Sequence, residues 1–287
     1  MRLSPFSFVR IGSLAFLLLI IFTSCQKGAT SEGVRQLQVF LTDGPGTYDA
    51  VNIDIQAVDA KVDTSDRTRH DDRFGDRDDD RDDHERRRDE FGHWVSLSAS
   101  PGVYDVLKLR NGIDTMLASG TINGTVRKIR ITLGTNNTVV KDGVTYPLQL
   151  INPTMNFLYI KLYHMHRHDS ADREGVWVDF DLSRSVVEIN GKFYLRPVLR
   201  PFCDRNFSGV EGKVTPAAAN ARVVVYNSMD TATAIPNSDG YFKVRGLKAG
   251  AYSVWFDAEN GYQDTTLTNV QLINGKHVRL PAVVLHQ

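Results

Sequence analysis

Cysteine is nearly absent, with two in 287 residues, which excludes a disulfide-stapled scaffold and a four-cysteine zinc site. A charge surplus is absent too: 34 basic residues stand against 34 acidic ones, so the net charge points to no nucleic-acid partner. No segment sustains a 3.6-residue apolar period, and the best helical candidate, Asp114–Ile122, is short. The apolar run Ile11–Phe22, with 12 residues, falls short of a membrane-spanning helix. Catalytic signatures are missing as well. There is no G-x-S-x-G elbow, no G-x-x-x-x-G-K-[ST] phosphate loop, no dinucleotide fingerprint opening a helix and no H-E-x-x-H. The chain therefore reads as non-enzymatic, with no catalytic residues and no cofactor implied. Its length is enough for two domains, each with its own core.

What is present begins at the N-terminus. Arg2 and Arg10 flank a stretch without acids, Ile11–Phe22 follows, and Thr23-Ser24-Cys25 closes the segment. A basic start, a short apolar run and small residues at its end describe a secretory signal. The small pair directly before a cysteine resembles the lipobox of bacterial lipoproteins, although Phe22 stands where Leu is usual. That resemblance implies cleavage after residue 24, a diacylglycerol on Cys25, a tether over 25–34 and membrane attachment through that lipid. Lys27, just behind the cysteine, is not the Asp that holds such lipoproteins at the inner membrane, which favours the outer membrane. Gln26–Gly33 contains one acid, Glu32, so the face of that membrane stays open. With Cys25 alkylated, Cys203 is left as a single thiol, and no histidine near it in sequence supports a nucleophile.

The mature chain reads as strands. Alternating β-branched and aromatic runs predict them at Gln36–Leu41, Val51–Val62, His93–Leu97, Val103–Leu109, Val126–Leu133 and Thr138–Lys141. More follow at Val144–Leu150, Phe157–Tyr163, Val176–Leu182, Val186–Ile189 and Phe193–Leu199. Asp142-Gly143 and Asn190-Gly191 are two-residue hairpin turns, since both positions of such turns need positive φ. Many short strands joined this way predict an all-β chain of two antiparallel β-sandwich domains.

Two stretches carry family resemblances. Leu41-Thr42-Asp43-Gly44-Pro45-Gly46-Thr47-Tyr48-Asp49-Ala50-Val51 resembles the opening of a bacterial lipoprotein domain catalogued as domain of unknown function 4382. Trp94-Val95-Ser96-Leu97, Tyr104–Gly112, Val178-Asp179-Phe180-Asp181 and Tyr194-Leu195-Arg196-Pro197-Val198 match in order, over 35–200. That family implies no activity. In Val176–Phe180 the apolar Val176, Val178 and Phe180 share one face, leaving Trp177, Asp179 and Asp181 on the other. Those acids are ion or ligand candidates, with a solvated face or turn caps as the favoured alternative.

After a linker at 201–208, residues 209–287 show Gly209-Val210-Glu211-Gly212-Lys213-Val214, Asp239-Gly240-Tyr241-Phe242 and Gly250-Ala251-Tyr252. These resemble the carboxypeptidase regulatory-like domain, a seven-stranded transthyretin-like sandwich. Tyr252, Val254 and Phe256 fit its packed face. The resemblance implies a stabilising or ligand-presenting module and no peptidase activity.

Two segments stand apart from the strand pattern. Asp63–Glu90 holds 13 acids and 8 arginines in 28 positions, and Phe74 alone is a large apolar residue. It reads as a disordered charged insertion within the first domain, 63–90. Asp76, Asp78 and Asp80 resemble the start of a calcium loop, but Arg77 and Arg81 repel a cation and the closing Glu is missing. In Tyr163–Asp169 a continuing strand puts His164, His166 and His168 on one face. Imidazoles so placed can hold a divalent metal, with Asp169 or Asp172 adding oxygen, or they crowd a solvated hairpin tip, which is the favoured reading.

These readings leave three functions: an envelope module binding a glycan or another envelope protein, a purely structural lipoprotein, and a metal-binding protein. An exposed aromatic platform at Trp94, Trp177 or Trp255 distinguishes the first.

Overall fold

A computed structural model describes residues 34–43, 46–64, 92–162, 173–203 and 205–287. The lipidation residue Cys25, most of the charged insertion 63–90, and the metal candidates His164, His166, His168 and Asp169 lie outside the described residues. The fold is nearly all β, with 62% strand and 5% helix.

The first fourteen strands are β1 Val34–Asp43, β2 Ala50–Asp63, β3 His93–Ser96, β4 Ser98–Ala99, β5 Gly102–Asp105, β6 Thr115–Asn123 and β7 Thr125–Leu133. They continue with β8 Thr138–Lys141, β9 Val144–Leu150, β10 Phe157–Lys161, β11 Arg173–Phe180, β12 Val186–Ile189, β13 Lys192–Leu195 and β14 Leu199–Phe202. A four-residue helix, α1 (Leu182–Ser185), follows β11. One sheet runs β14-β11-β1-β6-β4; the facing one runs β10-β7-β2-β8-β9-β13-β12, with β3 and β5 also on β2. Between them lies one core that includes Leu37, Val39, Ile53, Leu117, Ile129, Val178 and Phe180.

β2 organises the larger sheet. Its buried residues change phase along the strand, from Val51, Ile53 and Ile55 to Val58, Ala60 and Val62. Side chains alternate faces, so an unbroken strand would turn the second set to solvent. A register shift between Ile55 and Ala57 restores the match. Such a bulge inserts one residue and bends the strand. Before it β2 pairs with β8 and β5; beyond it β2 pairs with β7 and β3. The outward set after the bulge is Asp59, Lys61 and Asp63.

The second sandwich comprises β15 Ser208–Thr215, β16 Arg222–Tyr226, β17 Thr231–Ala234, β18 Tyr241–Leu247, β19 Gly250–Asp257, β20 Thr265–Leu272, β21 His277–Arg279 and β22 Val283–Val284. One sheet is β17-β16-β19-β20. In the other, β15 lies between β18 and the successive short strands β21 and β22, which form one broken edge strand. Its separate core holds Val210, Val223, Phe242, Val254 and Phe256, with Phe242 and Phe256 edge to face at 5.7 Å. Tyr252, Val254 and Phe256 are buried together as the alternation predicts. Gly240 holds φ +79, and a Cβ there would lie 2.0 Å from the Val214 carbonyl oxygen, so only glycine fits this turn.

The sandwich architecture agrees with the sequence, and both hairpin turns have positive φ at both positions: Asp142-Gly143 and Asn190-Gly191. Several elements differ. Asp114–Ile122, the helical candidate, is strand β6: Val39 pairs with Ala118, and Leu117 and Ile122 are buried. Pairing with β1 outweighs a weak helical period in a segment that carries Thr, Ser and Gly. Val106–Leu109 is a 3-10 turn rather than the end of a strand. Phe193–Leu199 divides between β13 and β14, and Pro201 and Phe202 extend β14 instead of opening the linker. Phe202 is pulled in because its ring stacks on Trp177. Three strand pairs, β1 with β11, β9 with β13 and β15 with its broken edge strand, are parallel. All strands belong to one compact unit, 33–287.

Candidate functional site

The three tryptophans meet different fates. Trp177 (β11) stacks on Phe40 at 4.8 Å and on Phe202 at 6.1 Å, beneath the guanidinium of Arg245 at 4.9 Å. Its indole N–H and Arg245 Nη1 both donate to Asp114, each at 2.8 Å. Since Arg245 lies on β18, this stack joins the two sandwiches. Trp255 donates to Asp264 at 3.3 Å, and that carboxylate also accepts from the Ala258 amide, so the indole braces a loop.

Trp94 is part of an outward-facing aromatic surface. It stands on β3, while Phe157 and Tyr159 stand on β10, the far edge of the same sheet. Three strand spacings of about 4.8 Å separate those backbones, yet the Trp94 and Tyr159 ring centroids are 6.1 Å apart. The rings therefore lean toward each other above β2 and β7. Between them Arg130 (β7) lies 4.5 Å over Trp94 and 5.1 Å over Phe157. Asp59 fixes that guanidinium, accepting from Nε at 3.1 Å and Nη2 at 2.9 Å, and also accepts from Ser96 Oγ at 2.7 Å. Tyr159 remains 50% exposed and Phe157 38%. An open groove of about 550 Å³, lined by Ile151, Met155, Phe157 and Pro197 among others, continues the surface. Rings held in place by an ion pair and half open to water are preorganised to stack on a flat ligand.

A second concavity, a cleft of about 400 Å³, lies where the sandwiches meet. Asp179, Arg200 and Lys243 line it, with Tyr48 and Thr233. Its cations are committed: Arg200 bridges Asp179 at 3.0 Å and Asp230 at 3.4 Å, Arg222 pairs with Asp257, Lys243 with Glu211, and Arg245 with Asp114. Burial pushes the Asp179 carboxyl above the usual carboxylate range, and Arg200 opposes that rise. Burial would raise Asp181 too, but hydrogen bonds from Ser183 and Arg184 hold it below the usual range. Asp181 is the N-cap of α1, accepting from the Arg184 amide, which matches the turn-cap alternative. These acids brace the fold.

A family model described as "Domain of unknown function (DUF4382)" matches residues 35–197, more than half of the chain. The chain belongs to the DUF4382 family. Within its DUF4382 region, Trp94-Val95-Ser96-Leu97 supplies the tryptophan and the serine of the aromatic surface. The turn at Arg110-Asn111-Gly112 faces the second sandwich: Asn111 donates to the Ile235 carbonyl at 3.0 Å and accepts from the Lys243 amide at 3.3 Å.

No curated protein matches this DUF4382 chain. Solved structures similar to it include a type II cohesin–X-dockerin complex of Acetivibrio cellulolyticus, at 22% identity and TM-score 0.23, covering 27% of this chain and 56% of that one. The minor pilin of Streptococcus agalactiae matches at 11% identity and TM-score 0.21, covering 88% of this chain and 95% of that one. A leucine-rich repeat protein of Bacteroides thetaiotaomicron matches at 13% identity and TM-score 0.19, covering 88% and 26%. The chain thus spans little more than half the length of the cohesin-complex chain, and overlays at these scores carry neither fold nor function across.

Among the described residues, no group of three His, Cys, Asp or Glu is placed to hold a metal, and no helix is long and apolar enough to cross a membrane. Cys203 is half-buried against the first core. The sequence reading singled out Trp94 but missed Arg130, Phe157 and Tyr159. Their common face depends on the β10-β7-β2-β3 pairing, which no local signal encodes.

Proposed function

We propose that this chain is a non-enzymatic, lipid-anchored protein of the outer membrane that binds glycans through the aromatic surface at Trp94, Phe157 and Tyr159. The observation that carries the reading is that surface itself. Of the three tryptophans, Trp94 is the one grouped with half-exposed rings on a sheet face. Sugar rings present flat C–H faces that stack on aromatic rings, while their hydroxyls use neighbouring polar groups. Support for the anchor at Cys25 comes from the basic, apolar and small-residue pattern before it. Residues 209–287 act in this reading as a carboxypeptidase regulatory-like domain bracing the DUF4382 domain, 35–200.

The test is affinity electrophoresis and calorimetric titration of the full chain, purified in neutral detergent, against a panel of soluble polysaccharides. At least one is expected to bind, and Trp94→Ala and Tyr159→Ala are each expected to weaken binding about tenfold with the β-sheet spectrum unchanged. If no polysaccharide binds, or if both variants bind as the parent does, the reading fails. A purely structural role is the second reading, favoured by the polar contacts that fix the two sandwiches to each other. Failure of the panel together with an intact junction would support it.

A further inference from the structure

The cleft where the sandwiches meet has its charges matched and its hydroxyls idle. Arg200 lies between Asp179 and Asp230, Asp181 holds Arg184, and Arg222, Lys243 and Arg245 hold Asp257, Glu211 and Asp114. The polar groups left over are of another kind. Thr47, Thr231 and Thr233 line the cleft, and among the described residues no hydrogen bond engages their side-chain hydroxyls. On β17 the two threonines alternate with Ala232 and Ala234, which enter the second core, so both turn outward to the cleft side. Asp179 receives a hydrogen bond on one oxygen only: Arg200 Nη2 donates to Oδ2 at 3.0 Å, while Oδ1 accepts from no described residue and is not sealed from solvent. Tyr48 lines one wall with a half-buried ring.

We infer that this cleft is a second binding site, taking one neutral monosaccharide unit. A hydroxyl both donates and accepts, so three unengaged threonines match a ligand whose own groups do the same. Asp179 Oδ1 only accepts, and a sugar hydroxyl donating to it forms a charge-assisted hydrogen bond. A carboxylated or aminated ligand would bring a charge that finds its opposite already paired, and would lose its hydration without compensation. The volume of about 400 Å³ lies in the lower part of the range of about 300–1,000 Å³ that small-ligand pockets occupy, and junctions between domains are a common place for them. The C–H face of the sugar has the Tyr48 ring to lie against. Held by Thr47 and Asp179 on one side and by Thr231 and Thr233 on the other, the ligand touches both sandwiches. The site shares no residue with the Trp94 face, so either can fail without the other.

The experiment is saturation-transfer magnetic resonance on the full chain, held in a polyoxyethylene detergent that has no sugar headgroup. The probes are glucose, galactose, mannose and N-acetylglucosamine, with glucuronate and glucosamine as charged counterparts. At least one neutral sugar is expected to bind with Kd on the order of 1 mM, and more tightly than either charged one. Thr47→Val, Thr231→Val and Thr233→Val exchange a hydroxyl for a methyl group of the same shape. At least one of them is expected to weaken binding about two- to tenfold, as for a lost neutral hydrogen bond, with the β-sheet spectrum unchanged. Tyr159→Ala is expected to leave the affinity as it is. Binding that responds to Tyr159→Ala and to none of the threonine variants places the sugar on the aromatic face and overturns the inference. Tighter binding of glucuronate or glucosamine than of every neutral sugar overturns the neutral class. Silence of the whole panel overturns the site and leaves the polysaccharide test of the aromatic face standing.

Discussion

Glu211 on β15 illustrates a single residue whose value depends on its neighbours. Its carboxylate accepts from Arg279 Nε at 2.8 Å and Nη2 at 2.6 Å, from Tyr241 Oη at 3.2 Å, and faces Lys243 Nζ at 3.4 Å. The Arg279 hydrogen bonds, then Lys243 and Tyr241, hold it below the ordinary glutamate range against the opposing effect of burial. Its folded value lies below the unfolded one. The stability it contributes is therefore fully present above the ordinary range and is lost as pH falls through the depressed value. Glu211→Gln is expected to lower the urea midpoint slightly near neutral pH, because solvent screens the exposed Arg279. Repeating the unfolding well below the ordinary glutamate range should find the two proteins converged; a gap that widens with acid would contradict the sign. Residue chemistry of this kind is only half legible in a sequence. The outward side of Val176–Phe180 could be read from alternation, yet Asp179 is buried and paired with Arg200 on β14, a partner that strand pairing alone supplies. Likewise three tryptophans are visible in the chain, and nothing local says that one braces a loop, one joins two sandwiches and one stands on an open face.

At the scale of elements, β2 shows why alternation must be read together with its breaks. The odd–even switch between Ile55 and Val58 is plain in the sequence once noticed, and it demands an extra residue. Deleting Gln56 removes that residue while keeping the composition nearly unchanged. Ile55 opposite Leu133 and Ala57 opposite Thr132 then become consecutive pairs of a regular ladder, and Val58, Ala60 and Val62 stay on the core face. The shortened chain is expected to keep its near-ultraviolet dichroism and cooperative melting, with the local bend of β2 lost. Loss of both would mean that the bend itself is needed for the two halves of β2 to reach their different partners. The same deletion leaves Asp59 outward and opposite Arg130, so polysaccharide binding should survive with the fold. Local signals succeeded where one residue type settles the backbone, as at Asp142-Gly143 and Asn190-Gly191. They failed at Thr115–Asn123, where a brief apolar spacing suggested a helix and the long pairing with β1 imposed a strand.

Across the whole molecule, two cores with no buried residue in common are joined by a small polar and aromatic seam. Asp114 is central to it, holding the Trp177 indole and the Arg245 guanidinium at once. Gly246, with φ +75, brings β18 against Phe202, and a Cβ there would lie 2.8 Å from that ring. Such a seam makes the sandwiches melt as one unit only while its coupling exceeds the difference between their separate stabilities. Asp114→Ala takes a carboxylate partner from a guanidinium whose side chain is 10% exposed, the carboxylate itself being 29% exposed, a loss of about 1–3 kcal/mol for a part-buried charged hydrogen bond. Calorimetry of the parent is expected to show one transition, and that of Asp114→Ala two, the sandwiches then unfolding in turn. Gly246→Val should act the same way through the ring contact and the left-handed backbone. A single, merely lowered transition in both variants would place the coupling in the Asn111 turn and the Arg200 bridge instead. The aromatic face lies on the β10-β7-β2-β3 side of the larger sheet and draws none of its named residues from this seam. Both variants should therefore keep polysaccharide affinity below the first transition, and a loss of affinity there would mean that the second sandwich helps to shape the binding face.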